Sequence, residues 1–388
     1  MRIKFDSYLQ ITAVLVIAVV LILDLIGILS PDRGYSPSEN RNQELYPTMT
    51  WDNVLSGRYQ ERYESFVEDQ FPFRDGWIFL KTTTDRLAGK KEFNGIYPGK
   101  NGYLIQDFTE PDAENEEKMF AAVKGFTEKH PNIRHYAVIA PTAVSVLSDK
   151  LPKNAPVGDQ DAYLDRVQKN FTDAGVTFVD IRESMKTAAE EKQLYYKTDH
   201  HWTTDGAYIA YRAFANAAGL EGKNEKYQRL QVSDSFCGML AASAGFSTLR
   251  TDDIYVYIPK NENLYGVVSY EEEQEKSASF YCTDNLSVRD QYTLFLNGNH
   301  ALVRITTNAK SQNTLLILKD SYANCFVPFL VGDYAEIILV DPRYYADDPE
   351  MLIKSEQVTD ILYLYNANTL SQDSNLETVL NIESNEDE

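Results

Sequence analysis

Cysteine is scarce in this sequence. Its 388 residues include three cysteines, at Cys237, Cys282 and Cys325, and no two of them have the Cys-x-x-Cys spacing of zinc motifs. Their positions therefore give no support to a zinc site, and their odd number argues against a full disulfide framework. One bridge is compatible with the sequence, which does not assign it.

Basic residues are fewer than acidic residues. The chain has 37 lysines and arginines against 58 aspartates and glutamates, which gives a net charge of -21. Such a surface repels a phosphate backbone, so we expect no nucleic-acid partner. The acidic run at 271–275 and the final NIESNEDE are typical of solvated loops or tails. Internal repeats are absent as well.

Long apolar runs are absent apart from one, at 9–29. At about 1.5 Å per residue in a helix, this run spans roughly 30 Å, the thickness of a bilayer core. Arg2 and Lys4 precede it, and the positive-inside rule then keeps the N-terminus in the cytoplasm. We therefore expect residues 1–30 to form a cytoplasmic tip and a transmembrane signal anchor.

A cleaved signal peptide is the alternative for this run. The following sequence, GILSPDRG, is a poor cleavage site, which favours the uncleaved anchor. Asp24 lies near the outer end of the run, where its carboxylate can reach the interface. Either interpretation exports the rest of the chain. The anchor predicts a single-pass protein of the cell membrane with its bulk extracellular.

The exported part is predicted to have three regions. Residues 31–50 are polar and are expected to form a linker. Residues 51–105 are expected to form N-terminal helices, with a break at Pro72, and a hairpin packed on the core. Residues 106–388 are expected to form a third region, the catalytic domain. We expect three aromatic side chains near the break to pack a helix onto the sheet: Phe71, Phe73 and Trp77.

The region 106–388 alternates short apolar runs with helical patterns. Strands are predicted at 135–140, 176–180, 315–318, 336–340 and 360–365, and helices at 114–130, 159–174, 203–218 and 322–330. This alternation predicts an α/β fold with a mostly parallel sheet and helices on both faces. Residues 228–307 are richer in short β-like runs and turns, which indicates a β-rich insertion.

Ser321 lies in the segment TLLILKDSYANCFVPFL, where an apolar run stops abruptly and a helical pattern follows. A serine on a strand-to-helix turn is exposed at the edge of the sheet. The start of the helix supplies backbone N–H groups for a developing oxyanion. An ordinary helix cap gives the same pattern, and this segment alone favours the cap.

The segment KTDHHWTTDGAY places two histidines directly after an aspartate. The spacing of Asp199 and His201 lets the carboxylate hold one ring nitrogen while the other nitrogen faces a serine. His200 is expected to point elsewhere. A metal site on these three residues is one alternative, although further ligands with metal-binding spacing are missing. Packing is another.

Several segments together resemble one protein family. TDHHWT resembles the signature of the DHHW family of Gram-positive bacteria, and other motifs also fit: DQFPFRDGWI, GKNGYLI, FLNGNH, LKDSYANCFVPFL and VDPRYY. The resemblance covers most of 50–388. It extends more distantly to SGNH-hydrolase-like proteins that O-acetylate alginate and other exopolysaccharides. It implies an SGNH-hydrolase-like three-layer α/β/α fold with a permuted motif order.

The resemblance also implies the roles of three residues. Ser321 would be the nucleophile, His201 the general base and Asp199 its orienting carboxylate, with the Asp-x-His motif preceding the serine in the chain. DSY replaces the GDS of common SGNH enzymes, and Lys319 stands where a glycine is usual. No cofactor and no metal ion are expected.

The oxyanion and substrate contacts are less defined. The backbone N–H of Ser321 or Tyr322 is the expected oxyanion donor. Asn299, in GNH, and Asn366, in YNANT, are candidate side-chain donors, although such residues more often cap loops. Arg343, in DPRYY, follows a strand end and could hold an acidic sugar, with a salt bridge to a nearby aspartate as the alternative.

These expectations combine into one function. The chain would be an extracytoplasmic, membrane-anchored O-acetyltransferase or acetylesterase that acts on cell-surface polysaccharide through an acyl-enzyme. By analogy, a polytopic membrane protein would supply the acetyl group, because acetyl-CoA is cytoplasmic. The alternatives are a non-catalytic polysaccharide-binding or assembly protein with the same fold, and a metal-dependent hydrolase.

Overall fold

The computed structural model describes residues 2–36, 41–221, 225–246 and 251–382. The chain divides into two compact units. One comprises Met1–Lys90 with Ala242–Ser247, and the other comprises Lys91–Ala241 with Thr248–Glu388.

The first unit is largely helical. Its elements are α1 (Arg2–Leu29), β1 (Tyr35–Ser36), β2 (Arg41–Asn42), α2 (Trp51–Leu55), α3 (Arg58–Asp69) and α4 (Arg74–Leu87). The segment Ser7–Leu29 of α1 has a mean hydropathy of 3.0, is not buried, and is long and apolar enough to cross a membrane. The break between α3 and α4 falls at Pro72, as the sequence predicts.

The aromatic side chains at this break are largely exposed. Phe71, Phe73 and Trp77 are 40%, 67% and 48% exposed, and their packing onto the sheet stays a prediction. The inward side of α4 instead carries the buried Thr82, which lies against the backbone of Gly245 within the same unit.

The second unit contains the main sheet. Its strands, with those of two separate hairpins, are β3 (Ile96–Pro98), β4 (Leu104–Gln106), β5 (Arg134–Ala140), β6 (Thr177–Phe178), β7 (Tyr227–Phe236), β8 (Asp252–Pro259), β9 (Gly266–Tyr270), β10 (Glu275–Ser277), β11 (Leu302–Thr307), β12 (Thr314–Lys319), β13 (Glu336–Val340) and β14 (Asp360–Asn366).

Helices alternate with these strands along the chain. They are α5 (Ala113–Lys129), α6 (Ala143–Val146), α7 (Gln160–Asp173), α8 (Arg182–Ala189), α9 (Thr204–Ala217), α10 (Met239–Ser243), α11 (Ala323–Phe326), α12 (Pro349–Ser355), α13 (Ala367–Gln372) and α14 (Asn375–Leu380). Several begin at a side-chain cap, for example α9 at Thr203 and α13 at Asn366.

Eight strands of the described chain form the main sheet, in the order β10–β9–β11–β13–β12–β14–β5–β6. The strands from β13 to β6 pair in parallel, whereas β11, β9 and β10 add an antiparallel edge. Every residue of β12 and β14 is buried, as expected for strands covered on both faces. The α/β fold class is therefore confirmed.

The region 228–307 is divided in the structure. Its first part contains most of the β7–β8 hairpin, which forms a sheet of its own. Its second part contributes β9, β10 and β11 to the edge of the main sheet, because β11 pairs with β13. Part of this β-rich region is thus an extension of the central layer.

Candidate active site

Ser321 lies at the carboxyl edge of the sheet, two residues after the end of β12 and two before α11. The turn that carries it is tied to the neighbouring strand β14. The Asp320 backbone N–H donates to the Leu364 carbonyl at 3.2 Å, and the Asn366 backbone N–H donates to Asp320 Oδ2 at 2.8 Å. The serine therefore projects from a fixed turn.

The loop 197–203 carries the two adjacent histidines between α8 and α9. A single β-bridge pairs Tyr195 with Trp202 across its base. The carboxylate of Asp252, at the start of β8, accepts hydrogen bonds from the backbone N–H groups of Lys197 and Thr198 at 2.8–3.0 Å. This buried carboxylate holds a loop that has little regular structure of its own.

Asp199, His201 and Ser321 lie in one hydrogen-bonded row. His201 Nε2 is 2.7 Å from Ser321 Oγ, and His201 Nδ1 is 2.5 Å from Asp199 Oδ1. The second carboxylate oxygen of Asp199 accepts the backbone N–H of Met239 at 2.8 Å. A base can thus contact the serine while a buried carboxylate orients its ring, which is the arrangement of a serine nucleophile.

The charges of this row favour an ionised carboxylate. Burial opposes the charge of Asp199, but attraction to His200 and His201 and hydrogen bonds from His201 outweigh it, so the pKa of Asp199 is lowered. For His200, desolvation and the neighbouring His201 lower the pKa to about 4. Near neutral pH, His200 is therefore uncharged.

Tyr292 is a residue of the site that sequence reasoning missed. Its ring stacks on His201, with 3.6 Å between the ring centroids and 12° between the planes. Its hydroxyl donates to the Ser321 carbonyl at 3.1 Å. The sequence around it, RDQYTLF, contains no motif that indicates this position.

Two hydrogen bonds join the histidine loop to the serine turn. Trp202 Nε1 donates to the Tyr322 carbonyl at 3.0 Å, and the Tyr322 hydroxyl donates to the His200 carbonyl. Trp202 and Tyr322 are fully buried. The indole of the motif thus fixes the position of one loop against the other.

The two backbone N–H groups that are expected to bind the oxyanion differ in their hydrogen bonds. The Tyr322 backbone N–H donates to Asp320 Oδ1 at 2.8 Å, so it is already used within the turn. The Ser321 N–H has no hydrogen-bond acceptor among the described residues. Of the two N–H groups, that of Ser321 is therefore the one left available to an oxyanion.

The side chains of Asn366 and Arg343 adopt the alternative arrangements. The amide of Asn366 donates to Asp320 Oδ2 at 2.6 Å and to Thr369 Oγ1 at 2.7 Å, so it supports the serine turn from behind. Arg343 forms two bonds to the carboxylate of Asp341, at 2.8 and 2.6 Å. The salt bridge, which was the alternative for Arg343, is the observed arrangement.

Asn299 is held by a buried lysine. Its Oδ1 accepts from Lys319 Nζ at 3.2 Å and from Asn324 Nδ2 at 3.1 Å. Lys319 is 1% exposed, and its Nζ also donates to Asn324 Oδ1 at 2.9 Å and to Asp341 at 3.4 Å. Burial lowers the pKa of Lys319 despite the attraction of Asp341. Because these bonds engage the amide oxygen of Asn299, its side-chain N–H groups are left to donate to other partners.

A metal site would compete with this row. The side chains of Asp199, His200 and His201 offer ligand atoms within 4.8 Å of one another. Both ring nitrogens of His201 are engaged, by Asp199 and by Ser321, so an ion would have to displace one of them. The geometry favours the hydrogen-bonded row.

Residues 74–278, slightly more than half of the chain, match the family model described as "SGNH hydrolase-like domain, acetyltransferase AlgX". The matched stretch includes Asp199 and His201 and ends before Ser321.

Curated relatives match part of the chain. The probable alginate O-acetylase AlgJ of Pseudomonas syringae is 24% identical over 198 residues, which are 48% of this chain and 50% of that protein. AlgJ of Pseudomonas putida is 24% identical over 209 residues, or 51% of this chain and 52% of that protein. The chain thus spans about half the length of these relatives.

Solved structures share the fold. A DHHW family protein from Eubacterium siraeum matches with a TM-score of 0.63 and 22% identity, over 76% of this chain and 97% of that one. PatB1 of Bacillus cereus with a sulfonyl adduct matches with a TM-score of 0.59 and 23% identity, over 72% of this chain and 98% of that one. At such identities the likeness concerns the fold alone.

Proposed function

The chain belongs to the family of SGNH hydrolase-like domains described as acetyltransferase AlgX, and we propose that it is an O-acetyltransferase or acetylesterase of cell-surface polysaccharide. Ser321, His201 and Asp199 would carry the reaction. The main support is the row of contacts at 2.7 Å and 2.5 Å that joins the three side chains. The names of its AlgJ relatives add support for acetyl transfer to a polysaccharide.

The first half-reaction moves the acetyl group onto the protein. Ser321 Oγ attacks the acetyl carbonyl carbon of the donor while its proton passes to His201 Nε2. The Ser321 N–H, with Asn299 as candidate side-chain donor, would stabilise the oxyanion. The intermediate then collapses, the bond to the donor breaks, and His201 returns the proton to the leaving group. An acetyl ester on Ser321 results.

The second half-reaction releases the acetyl group. His201 takes the proton of an incoming hydroxyl, whose oxygen attacks the ester carbonyl. Collapse restores Ser321 Oγ, which regains a proton from His201. A sugar hydroxyl as acceptor makes the protein a transferase, whereas water makes it an esterase.

The location of the reaction follows from α1. Its apolar segment Ser7–Leu29 would act as a single-pass anchor, with the rest of the chain outside the cytoplasm. Because acetyl-CoA is cytoplasmic, a polytopic membrane protein would have to pass the acetyl group outward. That protein is the partner we expect, with the polysaccharide as the acceptor.

Acetylation of the purified chain tests this function. The full chain in detergent is incubated with p-nitrophenyl acetate, and the acetyl adduct is located by intact-protein and peptide mass spectrometry. We expect an adduct on Ser321. In Ser321→Ala and His201→Ala, we expect p-nitrophenol release to fall by about 10³-fold or more.

His200→Ala is the matched control, because His200 is adjacent to His201 and does not contact Ser321. We expect it to retain adduct formation. Equal loss in His200→Ala and His201→Ala, together with sensitivity to a chelator, would contradict the acyl-enzyme and support a metal site. Absence of any adduct on Ser321 would favour a non-catalytic polysaccharide-binding protein.

A further inference from the structure

The helix α4 carries an exposed apolar stripe. Phe73, at its N-cap, and Trp77, Leu80 and Leu87 recur at spacings of four, three and seven residues, which place them on one side of a helix. They are 67%, 48%, 53% and 85% exposed. Contiguous apolar surface of this kind marks a contact with another molecule or a membrane.

The opposite side of α4 is the packed one. A Cβ atom built on Gly245 would lie 2.5 Å from Thr82 Oγ1 and 3.2 Å from Ile78 Cγ2, so this backbone presses against α4. Thr82 is also the buried residue of the helix. The helix thus has its inner face covered within its own unit, and the stripe is the outer face.

The backbone conformation of Phe73 indicates that the exposure of its ring has a function. Phe73 has φ 59° and ψ 27°, the left-handed region that L-residues with large side chains avoid. Its ring is two-thirds exposed, so burial within the described part of the chain does not offset this strain. A contact outside the chain would supply the missing burial.

The start of α4 is fixed beside the end of α1. A Cβ atom on Gly27, in the last turns of α1, would lie 3.6 Å from the ring of Pro72. Gln70 bonds the backbone of Arg33 twice: it accepts from the N–H at 2.9 Å and donates to the carbonyl at 3.0 Å. The first residues of the stripe therefore lie near the point where α1 ends.

From this placement we propose that the stripe on α4 is a membrane-contact surface, which lies in the lipid headgroup region of the outer leaflet. The proposal rests on the membrane anchor of the proposed function, since the anchor places the end of α1 at the outer bilayer boundary. Trp77 suits this region, because tryptophan is enriched at membrane interfaces. Its Nε1 donates to the Pro72 carbonyl at 3.1 Å, so the indole enters lipid with its N–H satisfied.

Tryptophan fluorescence tests the surface. The full chain is placed in phosphatidylcholine nanodiscs made with or without bromine on the upper acyl carbons, since bromine quenches a tryptophan that it touches. The chain has three tryptophans, at 51, 77 and 202. Trp202 is fully buried, and Trp51, on α2, is 81% exposed and serves as the matched control.

We expect bromine-dependent quenching in the parent chain, loss of more than half of it in Trp77→Phe, and no change in Trp51→Phe. Undiminished quenching in Trp77→Phe would contradict the proposed membrane-contact surface. Protection of Trp77 from both bromolipid and aqueous acrylamide would overturn it too, and would assign the stripe to a protein contact. Failure of the chain to enter the discs would contradict both the proposed membrane anchor and the proposed membrane-contact surface. If the chain enters the discs but Trp77 is not quenched, only the membrane-contact surface is contradicted.

Discussion

Tyr292 contacts both His201 and Ser321 in the candidate site. Its ring stacks on the imidazole of His201, and its hydroxyl holds the carbonyl of Ser321. The ring limits the tilt of the imidazole, and the hydroxyl fixes the backbone from which the serine projects. One buried side chain therefore constrains the distance between His201 and Ser321, and we expect Tyr292 to act as a positioning residue for the proposed reaction.

Two substitutions of Tyr292 should distinguish the effects of its two contacts on the rate. Tyr292→Phe keeps the stacked ring and loses the bond to the Ser321 carbonyl, so we expect a fall in kcat of about fivefold, from the ~1 kcal/mol of one hydrogen bond. Tyr292→Leu loses both contacts, and we expect about 30-fold, since a ring pair adds about 1 kcal/mol. KM should change little in either variant.

Steady-state kinetics on p-nitrophenyl acetate would measure this, with circular dichroism as the check on folding. Equal activities in the Phe and Leu variants would contradict a role for the stacked ring. A rise in KM without a change in kcat would assign Tyr292 to substrate binding.

At the scale of elements, the histidine loop depends on its neighbours. The start of α10 approaches it closely: Gly238 N–H donates to Thr198 Oγ1 at 3.0 Å, and Met239 N–H donates to Asp199 Oδ2 at 2.8 Å. A Cβ atom on Gly238 would lie 2.3 Å from Asp199 Cβ and Oδ2. Glycine is needed there because the backbone itself must reach the carboxylate.

Gly238→Ala should therefore impair the site without touching the serine. The added methyl group must displace Asp199, which holds the ring of His201, and misplacement of this order costs about 10²-fold in kcat. Gly125→Ala is the matched control, since a Cβ atom there meets nothing within 4 Å. Rates of the two variants and the parent would be compared by p-nitrophenol release; equal rates would show that the contact is easily relieved.

The strands of the sheet were predictable where both faces are buried. The runs predicted at 135–140 and 360–365 correspond to β5 and β14, because a strand covered on both sides must be a short, nearly continuous apolar run. The strand order was not predictable, since it depends on pairings distant in sequence. The edge strands β9 to β11 show this, because only the pairing of β11 with β13, of β9 with β11 and of β10 with β9 assigns them to the main sheet.

The site was predictable to a similar extent. The resemblance to DHHW and SGNH-hydrolase-like proteins is confirmed. The expected proximity of Ser321, His201 and Asp199 agrees with the structure, while their roles stay a prediction. Tyr292 and Asp252 were missed because they reach the site from distant segments that carry no local pattern.

At the scale of the whole molecule, one buried histidine couples stability to pH. His135 lies in β5, is 5% exposed, and burial lowers its pKa to about 4. The unfolded chain binds a proton near the ordinary pKa of about 6.5, whereas the folded chain resists it down to about 4. The fold therefore loses stability as the pH falls from 6.5 to 4, and the loss is complete below the folded pKa.

His135→Phe should remove part of this acid sensitivity. The shift of about 2.5 pKa units corresponds to roughly 3 kcal/mol, on the scale of 1.36 kcal/mol for each unit. The ring lies near Phe126 and Tyr363, so an aromatic replacement keeps its surroundings. Thermal midpoints of parent and variant would be compared at pH 7 and pH 4.5. Parallel declines would contradict the assignment to His135.

The strand order has a consequence for biosynthesis. Ser321 follows β12, and the histidine loop comes later in the chain than β5. In the sheet, β14 lies between β12 and β5 and pairs with both. The ribosome makes β14 after every other strand of the sheet. Until β14 has been made, a nascent chain lacks the strand that joins these two parts of the sheet, so the proposed site is not yet assembled. Truncation of the chain before Asp360 would keep every proposed catalytic side chain, but it would remove β14 and the two hydrogen bonds from Asn366 that hold Asp320 beside Ser321.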